Sequence, residues 1–185
     1  VIVLAPSSVQ EMADFMDLAF TLAFKYRMPA MILSDGVIGQ MMEKVVLPPV
    51  KPRRTEEEIK KECPWATFGR TPDRKPNIIT SLELQPEVME IRNQKLLKKY
   101  ELVKENEVRY ETSQCDDADY LFVAFGSAAR ISEKAMELAR EAGLKVGLFR
   151  PITLWPFPEK QLEALAKGKK GVLSVEINAG QMVED

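Results

Sequence analysis

Residues 118–151 read ADYLFVAFGSAARISEKAMELAREAGLKVGLFRP, and this stretch decides the fold class. An apolar run, DYLFVAFG, leads at Gly126-Ser127 into a helical stretch from Ser127 to Ala142, which Gly143 ends before a second apolar run, KVGLF. Short apolar runs separated by helix-length segments predict an α/β fold, with a parallel sheet and right-handed crossovers. The alternation continues through a helix from Glu159 to Lys167 and the run GVLSVEI. After Asn178-Ala179-Gly180 only the first turn of another helix fits before Asp185, so the domain at 118–185 reads as nearly whole with its last helix cut off.

Residues 1–50 show the same order on a smaller scale. VIVLA is a strand, Val9 to Tyr26 a helix, and AMILS (Ala30 to Ser34) a second strand, which makes a βαβ unit. Ser8 and Glu11 have the S-x-x-E spacing that satisfies free backbone donors at a helix start. Met12, Phe15, Met16, Ala19, Ala23 and Tyr26 recur at three- and four-residue intervals, a face expected to pack on the sheet. Pro29 cannot continue the helix, and Asp35-Gly36 breaks the second strand. The chain opens at Val1 directly in a strand-like run with no basic leader, so a fragment or processed piece is expected.

Residues 51–117 differ in kind. Pro52, Pro64, Pro72, Pro76 and Pro86 punctuate a charged segment that includes KPRRTEEEIKKE, which reads as a linker rather than sheet. From Pro86 to about Tyr110 the pattern predicts a long helix, with Met89, Leu96, Val103 and Tyr110 on one stripe beside Tyr100 and an i, i+4 pair between Glu105 and Arg109.

Composition narrows the chemistry. The 185 residues hold 26 Lys plus Arg against 28 Asp plus Glu, 45% apolar residues and no His. Without His, Ser-His-Asp and Cys-His nucleophile systems and His-ligated zinc are excluded. Cys63 and Cys115 form no C-x-x-C, which excludes a self-contained iron–sulfur or zinc site and leaves a disulfide between them open. A net charge of −2 argues against nucleic-acid binding. No apolar run approaches the ~20 residues that cross a bilayer.

In open parallel sheets, ligands sit beyond the carboxyl ends of the strands. Four loops fall there: Ala5-Pro6-Ser7-Ser8, Ser34-Asp35-Gly36, Phe125-Gly126-Ser127, and the stretch from Glu176 to Gln181. Ser7 or Ser8 and Ser127 read first as helix N-caps. Asp35-Gly36 is a turn signal that, as strand-end acids are frequent ligands, suits a pocket lining as well. Gly126-Ser127 is too sparse in glycine to be bet on as a phosphate cradle. Glu176 ends an apolar strand and needs a partner, structural or at an interface, while Asn178 and Gln181 suit contact with another chain as well as with a ligand. The stretch Arg150-Pro151-Ile152-Thr153-Leu154-Trp155-Pro156-Phe157-Pro158 reads as a stiff loop presenting Trp155 and Phe157 to an interface, against the alternative of a loop folded over its own core.

YRMPAMILSDGVIGQMMEKVVLPP, NIITSLELQPE, FGSAARISEKAMELAREAGLKVGLFRPITLWPFP and SVEINAGQMVED, in that order, resemble the α subunit of 2-oxoacid:ferredoxin oxidoreductases over essentially the whole chain, and within them most the 2-oxoisovalerate (branched-chain 2-oxoacid, 3-methyl-2-oxobutanoate) type. The resemblance implies an enzyme that decarboxylates a 2-oxoacid oxidatively to an acyl-CoA, with thiamine diphosphate and Mg in the assembled complex, coenzyme A as co-substrate, and iron–sulfur clusters on partner subunits. It implies β (thiamine diphosphate-binding), γ and ferredoxin-like δ subunits, ferredoxin as acceptor, and a cytoplasmic location. Residues 1–50 then resemble the end of a pyrimidine-binding domain, 51–117 a linker with its long helix, and 118–185 a transketolase C-terminal-like domain. The activating Glu of the family belongs upstream, so no catalytic or metal-binding residue is expected in this chain, with Ser34, Asp35 and Gly36 near the edge of the cleft. A 2-oxoglutarate or pyruvate enzyme, or a non-catalytic α/β assembly module, are the competing expectations.

Overall fold

The protein is described from a computed structural model covering residues 1–69 and 72–184. Its elements in chain order are β1 (Ile2–Leu4), α1 (Val9–Tyr26), β2 (Ala30–Ile32), α2 (Gly36–Gln40), α3 (Glu56–Glu62), α4 (Pro86–Asn106), β3 (Tyr110–Ser113), β4 (Tyr120–Ala124), α5 (Gly126–Glu141), β5 (Val146–Pro151), β6 (Thr153–Trp155), α6 (Glu159–Ala166), β7 (Gly171–Val175) and a 3-10 turn at Met182–Glu184. Asp185, where the last helix was expected to break off, lies outside the described residues. The chain divides into two compact units, residues 48–97 and the remainder.

In the larger unit, β1 lies between β2, to which it is parallel, and β6, to which it is antiparallel. Ile2 and Leu4 are fully buried and point into a core made with Phe15, Leu22, Tyr26, Met28 and Val103. The buried face of α1 is therefore Phe15, Leu22 and Tyr26 with Leu18 and Ala19 beside them, whereas Met16 is 52% exposed. The expected stripe was right in period and turned too far toward Met16.

The second sheet has the order β3-β5-β4-β7, with β4 parallel to both β5 and β7. Alternate residues of β4 serve two layers, as period-two geometry dictates. Phe122 and Ala124 pack with Ala128, Ala129 and Met136 of α5, while Leu121 and Val123 pack with Leu165 of α6. The small residues of α5 let that helix approach closely, and its Ser132 and Met136 are buried as well. A Cβ on Gly147 would meet Cys115 Cα at 2.9 Å, so β5 needs glycine where the backbone at Cys115 crosses it.

Three expectations are corrected. Tyr110–Ser113, part of the linker at 51–117 by sequence pattern, is β3, an edge strand antiparallel to β5. The stretch around Trp155, a loop by sequence pattern, forms a strand at Thr153–Trp155, β6, paired with Val3 and Leu4. A three-residue edge strand between Pro151 and Pro156 escapes pattern reading because prolines are tolerated at such edges. The Glu105–Arg109 helical pair does not form, because α4 ends at Asn106 and the Arg109 guanidinium turns back to Glu107 at 2.9 Å.

Residues 48–97 hold α3 and most of α4. Thr55 and Glu58 form a capping box at the start of α3, a T-x-x-E signal that the linker reading passed over. Ile78, Ile79, Leu82 and Leu84 are exposed, and the segment buries little of its own. Among the described residues no helix is long and apolar enough to cross a membrane.

Candidate functional site

The loops 5–8, 34–36 and 125–127 meet in the larger unit, and carboxylates of the chain itself close them. At the start of α1, Ser8 Oγ accepts the Glu11 N–H at 3.1 Å, as its spacing predicts. The Glu11 carboxylate accepts the Ser7 N–H at 2.7 Å and grips Arg150 of β5 through two bonds of 2.7 and 2.9 Å. Burial pushes the Glu11 carboxyl up, but Arg150 and Ser7 outweigh it and hold it below the usual glutamate range. The guanidinium of Arg150, itself buried, also bonds Glu111 at 2.7 Å.

Asp35 does the same work for two helices. One of its oxygens accepts the Val37 and Ile38 N–H groups, each at 3.0 Å, and so caps its own helix α2. The other accepts the Ser127 N–H at 2.8 Å and caps α5. Ser127 was expected to cap α5 itself; Phe125 holds that position with no side-chain bond, and the capping oxygen comes from Asp35. Gly126, at φ +60°, makes this approach feasible, since a Cβ there would stand 2.9 Å from the Asp35 oxygen. Burial raises the Asp35 pKa, but the N–H groups of Ile38, Ser127 and Val37 outweigh it and the carboxyl sits below its ordinary value.

The chain beyond α2 is tied back in turn. Glu43 accepts the Val9 N–H at 3.0 Å and Arg130 of α5 at 2.6 Å. Gln10 brackets Val46 by donating to its carbonyl at 3.0 Å and accepting its N–H at 2.8 Å. Ser34 donates to Met12 Sδ at 3.6 Å, and Gly36 has nothing within 4 Å of where a Cβ would project. Beside these contacts lies a cleft of about 360 Å³ lined by Ser7, Glu111, Thr112, Arg130, Glu133 and Arg150.

At the carboxyl end of β7, which runs parallel to β4, Glu176 accepts the N–H groups of Gln181, Met182 and Val183 at 3.0, 2.8 and 3.0 Å. Burial raises its pKa, yet those bonds win and lower it to about 2. Glu176 is thus a structural cap for the final turn. Asn178 accepts the Gly180 N–H at 2.7 Å, and Gln181 is exposed. Trp155 packs into the first core with its ring 5.7 Å from Tyr100, edge to face, and Phe157 packs near Val123, Phe149 and Met182. Both rings are half-buried by their own chain.

The arrangement holds loops rather than delivering an acid or base, because Glu11, Asp35, Glu43 and Glu176 are all committed to N–H donors. Burial pushes the Cys115 thiol up, away from the reactive thiolate, and Cys63 and Cys115 are both free and buried. Among the described residues no three His, Cys, Asp or Glu side chains are grouped to hold a metal. Sequence reasoning singled out Asp35 and Ser127 separately and missed that they meet; Glu43, Arg130 and Glu107 it did not single out. Contacts across such separations leave no local pattern.

The chain matches two family models: the thiamine diphosphate-binding domain of pyruvate flavodoxin/ferredoxin oxidoreductase over residues 1–112, and core domain II of pyruvate:ferredoxin oxidoreductase over residues 118–185. It is 46% identical over 184 residues to the ketoisovalerate oxidoreductase subunit VorB of Methanothermobacter marburgensis, covering 100% of this chain and 51% of that protein. It is 36% identical over 199 residues to the 2-oxoglutarate synthase subunit KorA of Methanocaldococcus jannaschii, covering 98% of this chain and 54% of that protein. The chain thus spans about half the length of these relatives. A solved 2-oxoglutarate:ferredoxin oxidoreductase from Magnetococcus marinus, with 2-oxoglutarate, coenzyme A and succinyl-CoA bound, has a similar fold: the TM-score is 0.76 at 24% identity, over 99% of this chain and 36% of that one.

Proposed function

The chain belongs to the pyruvate flavodoxin/ferredoxin oxidoreductase family, and on that premise we propose that it is part of the α subunit of a 2-oxoacid:ferredoxin oxidoreductase acting on 2-oxoisovalerate. The observation that carries the substrate is the gradient of identity, 46% to a ketoisovalerate oxidoreductase subunit against 36% to a 2-oxoglutarate synthase subunit over nearly the same residues. In the proposed reaction a 2-oxoacid and coenzyme A become an acyl-CoA and CO2, a proton is released, and two electrons pass to ferredoxin. Residues 1–50 then form the end of a pyrimidine-binding domain, 51–117 a connector, and 118–185 a transketolase C-terminal-like domain.

The donors in this chain do not fit a seat for the diphosphate and its metal. The Asp35 carboxylate is spent on three backbone N–H groups, and among the described residues no three His, Cys, Asp or Glu side chains are grouped to hold a metal. No chemical step is therefore routed through this chain's side chains. We assign the diphosphate and Mg to a β subunit, the iron–sulfur clusters to γ and ferredoxin-like δ partners, and to this chain the holding of Ser34, Asp35 and Gly36 at the edge of the shared cleft. Asn178 and Gln181, with the outer edges of Trp155 and Phe157, are the proposed docking positions, and the assembly is placed in the cytoplasm.

The test is reconstitution. Complex assembled from the full-length subunits, with thiamine diphosphate and coenzyme A, is expected to reduce a viologen dye only when a 2-oxoacid is present, and to prefer 2-oxoisovalerate to 2-oxoglutarate and pyruvate. Dye reduction that needs no 2-oxoacid would defeat the enzyme reading. Preference for 2-oxoglutarate would favour the second reading, which the 36% identity to the 2-oxoglutarate subunit supports.

A further inference from the structure

We propose that Asp35 is a positioning residue whose carboxylate latches the strand-end loop of the first βαβ unit to the N-terminus of α5 in the second sheet. A helix start leaves N–H groups free, and an anion placed against them is favoured by both hydrogen bonding and the helix dipole. Here that anion is a side chain reaching from a loop 92 residues earlier. Two features set the contact apart from an ordinary local cap. The residue at the N-cap position of α5, Phe125, contributes no side-chain bond, so the helix depends on Asp35 for that oxygen. Gly126 clears the path, since any Cβ there would collide with Asp35 Oδ2.

The oxygens divide the labour cleanly, one for α2 and one for α5. The loop 34–36 follows β2, and the loop 125–127 follows β4, so the bond joins the ligand-presenting edges of two different sheets. Glu43 and Arg130 make a second, exposed tie between the same segments at 2.6 Å. Exposed pairs contribute little, so of these two ties the Asp35–Ser127 bond is the one that holds loop 34–36 against α5. This inference does not depend on the proposed reaction.

Asp35→Asn separates the two roles, because the amide keeps one carbonyl oxygen for α2 and turns an NH2 group toward the Ser127 N–H. In the full-length subunit, Asp35→Asn is expected to speed amide hydrogen exchange at Ser127 by about tenfold while Val37 and Ile38 stay within about twofold of wild type. Asp35→Ala is expected to speed exchange at all three, and added formate, a free carboxylate, to restore protection at Ser127. Packing alone would not respond to formate. Gly126→Ala approaches the same bond from the other side and is expected to speed Ser127 exchange with Asp35 intact. Unchanged Ser127 exchange in Asp35→Asn, or no response to formate in Asp35→Ala, would overturn the latch. Should Asp35→Ala fail to fold, Asp35→Asn and Gly126→Ala decide the matter.

Discussion

Glu107 is 3% exposed, and its carboxylate meets Lys25 Nζ and the Tyr26 hydroxyl at 2.6 Å each and Arg109 at 2.9 Å. Burial raises its pKa, but the bonds from Lys25, Tyr26 and Arg109 prevail and the carboxyl titrates below the ordinary glutamate range. A lowered folded pKa means that this stabilisation is fully present above about pH 4.3, the unperturbed value, and is lost as pH falls through the folded value. Glu107→Gln is therefore expected to cost about 2 kcal/mol at pH 7 and to flatten the acid limb of stability below about pH 4, both read from urea midpoints. Lys25 is half solvated, which keeps the figure below the range of fully buried pairs. An unchanged acid limb would show that other carboxylates govern it. At this scale the sequence was legible where partners are close, as with Ser8 and Glu11. It was silent where partners are far apart, as with Tyr26 and Glu107 or Glu11 and Arg150, because no spacing rule links residues that only the fold brings together.

The elements were easier to read than their termini. Helix α1 was bounded correctly by Ser8 and Pro29, and its period was visible, yet Met16 was placed inside and Leu22 was overlooked. Leu22, at 2% exposure, and Met16, at 52%, make a controlled comparison on one helix. Leu22→Ala is expected to destabilise the chain by about 2–4 kcal/mol through the cavity it leaves, and Met16→Ala by less than about 0.5 kcal/mol. Equal losses in denaturant titrations would mean that α1 is rotated from the face described. The two strands missed, β3 and β6, are short edge strands, one polar and the other set between prolines, so neither carries an alternating apolar signal. The aromatic pattern that marked Trp155 was real; its ring meets Tyr100 and fastens β6 beside β1.

For the molecule as a whole, β6 and the Asp35, Glu11 and Glu43 contacts draw 1–47 and 98–185 into one unit, a union that no stretch of sequence announced. The α/β class was legible because buried parallel strands and their crossover helices leave long periodic signals. Family membership was legible through motifs that resemble its members, and not through a recognisable catalytic cluster. The central proposal is that this chain shapes and holds one side of a cleft while other parts of an assembled complex grip a cofactor. Calorimetric titration of thiamine diphosphate with Mg tests it most directly, run on the polypeptide of residues 1–185 and on the complex assembled from full-length subunits. Saturable binding to the complex and none to residues 1–185 is the expected result; saturable, Mg-dependent binding to residues 1–185 alone would contradict the account.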